Sequence, residues 1–332
     1  MIAIDGSYGE GGGQILRMAV ALAALTGKSI RVYNIRAGRP NPGLKNQHIT
    51  AINAVAKLCN AKTRGVAVGS SSIEFHPGKI KGGDYVFDVG TAGSVTLVMQ
   101  ACLLPALMAE EETHFKIRGG TDVKWAPPWD YFQNVFLKLL EKMGCYIDAY
   151  LNQRGYYPAG GGEIEVYVEP CELQSIEFNE KVEKIKGIVN IANLPSNIAE
   201  RIEKAAMEEL RKHDMDADIA IEETSAKSAG VGIVLWSEPK VLGSDCLGER
   251  GKPAEEVGKE AATKLIQEIK SNADLDEKAV DQLLPYLAMT GGKFKARNIT
   301  KHAETEMWLL KKFIDVDFKI KKNGLYLVEV VK

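Results

Sequence analysis

The residues best placed by type and spacing to do chemistry lie in Asp5 to Arg17, DGSYGEGGGQILR. Glycines at 6, 9, 11, 12 and 13 leave the main chain open to close approach, at a cost in backbone entropy. The apolar helix pattern that follows would aim free N–H groups and the positive end of its dipole at the same spot. Such an arrangement holds an anion. Glu10 and Arg17 flank it. Arg36 and Arg39 follow in IRAGRPNPGLKNQH, where Pro40 and Pro42 stiffen the loop. Arginines held this way suit bidentate phosphate contacts, and a solvated surface loop is the plain alternative. The glycine run is not a P-loop, because no Gly-Lys-Ser/Thr ending follows. Nor is it a dinucleotide fingerprint, because Gly9-x-Gly11-x-x is followed by Gln14.

Five histidines are the candidate nucleophiles. His76 and His114 fall on predicted strands and read as structural, and His213 in KHDMDAD reads as solvent-facing. His48 opens one predicted helix and His302 opens the corresponding helix near the C-terminus. A neutral imidazole is a competent nucleophile at neutral pH. A helix start disfavours its protonated form. Spacing alone does not separate His302 from a polar helix-start residue with no role.

The elements that must position these groups repeat. Strand 2–4, helix 13–25, strand 30–35, helix 46–59 and strands 66–68 and 72–76 form a first unit. Helix 94–108, strand 113–118, helix 131–143 and strands 145–151 and 163–169 follow in the same order. Helix 279–289, strand 293–296, helix 302–313 and strands 315–321 and 324–331 make a third. Between the second and third units, strand 185–191, helix 197–212, strands 217–222 and 231–236 and helix 254–270 form a β-α-β-β-α insert. The expected division is residues 1–180 with 276–332 as the main body and 181–275 as the insert.

Composition bounds the function class. The chain has 332 residues, 45% apolar and 26% charged, with net charge −2, which argues against a general nucleic-acid coat. The charge is uneven. Residues 1–66 hold nine Lys/Arg against Asp5 and Glu10, and residues 176–277 hold fourteen Lys/Arg against twenty-two Asp/Glu. A polyanion would meet the N-terminal part. Gln100 and Pro105 interrupt the longest apolar run, so no membrane span is expected. No secretory leader is visible. Five scattered cysteines fit neither a disulfide framework nor a zinc site, and a reducing cytoplasm is the expected location.

DGSYGEGGGQILR, IRAGRPNPGLKNQH, the Gly-Thr-Ala-Gly-Ser-Val run at 90–95, LGERGKPAEEVG at 247–258, AVDQLLPYLA at 279–288 and KHAETEMW at 301–308 together resemble the RNA 3′-terminal phosphate cyclases. The resemblance covers essentially the whole chain. It implies an α+β fold of the α/β sandwich type. Three βαβαββ units, similar to the C-terminal domain of a bacterial translation initiation factor, would carry a thioredoxin-like insert without a CxxC.

The resemblance also implies ATP as co-substrate, a divalent cation (Mg or Mn) and an RNA bearing a 3′-phosphate. His302 would form a covalent histidyl-AMP. AMP would pass to the RNA as RNA-(3′)pp(5′)A, and the 2′-hydroxyl would close a 2′,3′-cyclic phosphate. Glu10 would hold the metal, and Arg17, Arg36, Arg39 and Gln47 the phosphates. Gln100, Pro127 or Pro128, Lys278, Ala279, Val280, Asp281 and Gln282 would form the adenosine pocket. Lys278 stands where the family usually has an aromatic or histidine, and its stem would cover a ring face. The alternatives are a non-catalytic RNA-binding or ribosome-assembly relative, or an enzyme that adenylylates other phosphorylated nucleic-acid ends. Sequence leaves the oligomeric state and the purpose of the insert open.

Overall fold

Apolar spacing and glycine stops generate the first unit in the expected order. In the computed structural model, which describes residues 1–332, β1 (Ile2–Asp5) leads through the glycine run into α1 (Gly13–Thr26). β2 (Ile30–Tyr33), α2 (Asn46–Leu58), β3 (Lys62–Arg64) and β4 (Ile73–His76) follow. The sheet order is β1-β2-β4-β3, with only β1 and β2 parallel. β2 stops at Tyr33 rather than at residue 35, because Asn34 and Arg36 both adopt positive φ. Residues 66–68 are loop. The strand expected there lies at β3, and Gly65, at φ 75°, turns the chain after it.

The second unit repeats the topology with β5 (Gly83–Asp88), α3 (Val95–Leu107) and β6 (Thr113–Gly119). Its second helix is built in three parts: α4 (Trp129–Tyr131), a π turn (Phe132–Phe136) and α5 (Leu137–Lys142). β7 (Ile147–Gln153) and β8 (Gly162–Val168) complete a sheet ordered β5-β6-β8-β7. β5 is absent from the sequence expectation. GDYVFD is a half-exposed edge strand, and its acidic residues hide the strand signal.

The insert comprises β9 (Val182–Ala192), α6 (Asn197–Arg211), β10 (Asp218–Thr224), β11 (Gly230–Pro239), β12 (Gly243–Leu247) and α7 (Ala254–Ser271). Its sheet runs β10-β9-β11-β12, one strand more than expected. β12, GSDCL, has poor strand formers and exists through antiparallel pairing with β11. The insert carries its own core of 18 buried residues, beside a main core of 70 to which its Val234, Trp236 and Val241 also contribute.

The last unit is α8 (Glu277–Thr290), β13 (Gly292–Ala296), α9 (Lys301–Phe313), β14 (Asp317–Asn323) and β15 (Leu325–Val331). Its first strand is reduced to Leu275, which bridges Ala296 in parallel, so it is βαβαββ in outline only. α1 packs against α3 and α9, and α9 against α8, so the helix starts of the first and last units meet. Buried Arg154 ties the insert to the main body. It donates to Asp122 (3.1 Å) and Asp130 (3.0 Å) of the second unit and to Glu222 (2.7 Å) of β10. No helix is long and apolar enough to cross a membrane.

Candidate active site

A cleft of about 500 Å³ opens where α1, α8 and α9 face the β6–α4 loop and the insert. Arg17, Gln100, Pro127, Lys278, Asp281, Gln282 and His302 all line it. On α8 the lining residues are Glu277, Lys278, Asp281, Gln282, Pro285 and Tyr286, which share one broad helix face centred on the i, i+3, i+4, i+7 stripe from Lys278. Ala279 and Val280, expected in the pocket, point instead into the main core, as the helix period requires. Pro128 is buried at the start of α4, and Pro127 takes the cleft position.

His302 is the second residue of α9, whose start Thr300 caps by accepting from the Ala303 N–H at 3.1 Å. Its Nδ1 lies 3.1 Å from Glu10 Oε2, and Arg39 Nη2 lies 3.8 Å from the same oxygen. Nδ1 is the ring nitrogen beside the carboxylate, and Nε2 is left without a protein partner. Gln14 of α1 donates to the His302 carbonyl at 3.2 Å and to Glu306 at 3.0 Å, locking α1 onto α9. The glycine run makes this approach feasible. A Cβ on Gly9, at φ 59°, would fall 2.2 Å from Thr305 Oγ1, and one on Gly13 would fall 2.3 Å from His48 Nε2.

His48, the other candidate nucleophile, lies outside the cleft lining. Its Nδ1 accepts from the Lys45 N–H at 3.0 Å, as part of the α2 cap. Burial, with Arg17, Arg36 and Lys45 adding repulsion, holds its pKa down to about 3. Arg36 donates to the carbonyls of Asn41 (2.7 Å) and Gly43 (2.8 Å), so it braces its own loop rather than reaching for a phosphate. Gln47 accepts from the Ser94 N–H at 2.9 Å, pinning α2 to the start of α3. Each thus spends part of its side chain on backbone, Arg36 through Nη1 and Gln47 through Oε1.

Arg17 is the electrostatic centre. It is buried, lines the cleft and pairs with no carboxylate. Burial lowers its pKa to about 10, against the pull of Glu306 and Asp281, so it stays charged at neutral pH. Burial pushes Glu306 up to about 8 and Asp281 up to about 7. The carboxyls around Arg17 are therefore only partly ionised at neutral pH, and they answer its charge only in part. An unpaired buried guanidinium is costly unless an anion arrives to meet it.

Seven buried side-chain polar atoms in the chain lack a partner, and four of them, Gln100 Nε2, Gln282 Oε1, Tyr286 OH and Glu306 Oε1, belong to residues lining this cleft. Each such atom costs about 1–3 kcal/mol, a cost that a polar ligand reaching Gln100, Gln282 or Glu306 would offset.

The insert supplies a wall that the sequence did not reveal: Asp245, Cys246, Leu247, Glu249, Lys252, Glu260 and Lys264. These residues reach the cleft because Asp276, the α8 cap, accepts from Gly243 N–H (2.8 Å), Tyr131 OH (2.6 Å) and the Lys278 and Ala279 N–H groups. Lys278 Nζ pairs with Asp245 and sits 5.5 Å from the Tyr131 ring centroid. No local signal announces a contact made through a cap.

The raised carboxyls give a pH prediction. Glu306 and Asp281 bind protons more tightly folded than unfolded, so stability is fullest below the ordinary carboxylate range and falls as pH rises to about 8. Glu306→Gln keeps an acceptor for Gln14 and removes the titration. Its melting temperature should match the parent near pH 5 and exceed it by about 2 °C or more at pH 8.5. Thermal melts at both pH values check this, and an equal offset at the two would refute it.

Comparison with known proteins agrees with the geometry. The sequence model of the family described as RNA 3′-terminal phosphate cyclase matches residues 8–320. The chain is 49% identical over 327 residues to the RNA 3′-terminal phosphate cyclase of Pyrococcus furiosus, covering 97% of this chain and 95% of that protein. It is 45% identical over 333 residues to that of Methanosarcina barkeri, covering 99% and 100%. It is 46% identical over 341 residues to that of Methanopyrus kandleri, covering 98% and 96%. A match of this extent places the assignment beyond the fold alone, and the chain belongs to the RNA 3′-terminal phosphate cyclase family.

Proposed function

We propose that the chain uses ATP to convert an RNA 3′-phosphate into a 2′,3′-cyclic phosphate, with His302 as the nucleophile. The observation that carries this reading is the His302 imidazole, its Nδ1 3.1 Å from Glu10, in a cleft whose buried Arg17 forms no ion pair with a protein carboxylate. Nε2 attacks the α-phosphorus of ATP. The new N–P bond forms as the bond to pyrophosphate breaks. An oxygen of the RNA 3′-phosphate then attacks that phosphorus and frees the imidazole. The neighbouring 2′-hydroxyl attacks the activated 3′-phosphorus, and AMP leaves. A bare 3′-phosphate has no good leaving group, and adenylylation supplies one. Ring closure then needs little beyond positioning, because the attacking hydroxyl is already attached.

Arg17 and Arg39 clamp phosphate. Gln100 Nε2, a donor, and Gln282 Oε1, an acceptor, both belong to cleft-lining residues and suit the edge of the adenine, with Lys278 and Pro127 as walls. For the divalent cation the fit is partial. No group of three or more His, Cys, Asp or Glu is placed to hold a metal ion. Glu10 is the carboxylate beside His302, and a Mg²⁺ held by one carboxylate plus substrate phosphates is an ordinary arrangement. Bound there, the cation would offset phosphate charge.

The test is a short RNA with a labelled 5′ end and a 3′-phosphate, incubated with the protein, ATP and Mg²⁺. Conversion to a phosphatase-resistant end that requires ATP is expected. An end that stays phosphatase-sensitive overturns the reading.

A further inference from the structure

Trp125 stands apart from the other tryptophans. Trp129 and Trp236 are buried, and Trp308 stacks on Tyr8 at 3.9 Å. Trp125 is 95% exposed and stacks on nothing. It also sits at φ 64°, a left-handed conformation that a bulky side chain adopts only under constraint. The constraint is visible on both sides. Pro127 and Pro128 stiffen the chain that follows, and the preceding Lys124 pairs with Glu249 of the insert at 2.6 Å. The strained residue is held on the wall of the same cleft as His302.

We propose that Trp125 is the stacking platform for the last nucleobase of the RNA 3′ end. This rests on the cyclase reading above and adds the contact that holds the RNA body. On that reading the adenine of ATP has its own partners in the buried, unpartnered atoms of Gln100 and Gln282. An indole open to solvent instead suits a base that belongs to a chain leaving the cleft. Stacking is sequence-tolerant, since every base has a π-face, so it would serve an enzyme that reads the end of an RNA rather than its sequence.

The test uses the full chain with Trp125→Ala and Trp125→Phe, and a short 3′-phosphorylated RNA with either a normal or an abasic terminal nucleoside. For Trp125→Ala, the KM for the normal RNA should rise about tenfold or more, the range of a lost base–aromatic stack. The loss should be at least tenfold larger than any loss in self-adenylylation by ATP. Trp125→Phe should restore KM to within about threefold of the parent. The abasic RNA should be as poor for the parent as the normal RNA is for Trp125→Ala. Indole emission of the parent should shift on titration with RNA lacking ATP. An unaltered KM in Trp125→Ala overturns the proposal, as does emission that responds to ATP and not to RNA. If the parent binds RNA with these signatures but never cyclises it, the cyclase reading fails and the stack stands. If it cyclises with no effect at Trp125, the stack alone fails.

Discussion

His302→Ala should lose cyclisation of 3′-phosphorylated RNA by about 10⁴-fold or more, since deleting a covalent nucleophile removes the route and not one contact along it. The loss should be confined to the steps that need the imidazole. Given RNA already activated as RNA-(3′)pp(5′)A, the same variant should close the ring within about tenfold of the parent, because closure depends on phosphate and hydroxyl positioning alone. The fold should survive. His302 is half exposed at the start of α9, and the cap from Thr300 and the bond from Gln14 to the residue 302 carbonyl do not involve its ring. Cyclisation of unactivated RNA at near-parental rate by His302→Ala would remove His302 from the chemistry. Failure on the activated RNA as well would point to a collapsed site.

The second large effect is expected at Arg17, with stability and activity moving apart. Methionine there fills much of the same space without a charge. Charge-assisted hydrogen bonds are worth about 1.5–3 kcal/mol each, and a guanidinium offers two to one phosphate. Arg17→Met should therefore lower kcat/KM about 100-fold or more. The melting temperature should hold or rise, because the substitution deletes a buried guanidinium that forms no ion pair and lies among carboxyls that burial keeps only partly ionised. An activity loss that comes with a drop in melting temperature of several degrees would mean that Arg17 is a structural brace and not an anion receptor.

Sequence made the helices legible because their starts and stops are chemical. Gly27 ends α1 in the left-handed conformation, Gly291 caps α8, and the apolar period runs between. The edge strands β5 and β12 were not legible. Acidic and small residues fill them, and pairing with a neighbour decides their conformation. The site was legible in its motifs and illegible in its facings. Lys278 to Gln282 is contiguous in sequence, yet only 278, 281 and 282 face the cleft, and the helix period could have said so. Gln47 also bonds the Ser94 N–H across to α3, a tertiary contact, and Arg36 braces the carbonyls of Asn41 and Gly43 in its own loop. The insert's wall depends on Asp276 gripping Gly243, thirty-odd residues away in sequence, and no periodicity reports it. Trp125 lies in the loop between β6 and α4, and its exposure and positive φ exist only in three dimensions.

The most direct measurement is to incubate the protein with ATP labelled at the α-phosphorus and a divalent cation, without RNA, and to map the label. One AMP per chain is expected on the peptide that contains His302, stable in alkali and labile in acid as a phosphoramidate is, and lost on addition of 3′-phosphorylated RNA. A chain that stays unlabelled while cyclising RNA, or a label that persists undiminished in His302→Ala, would contradict covalent catalysis by His302.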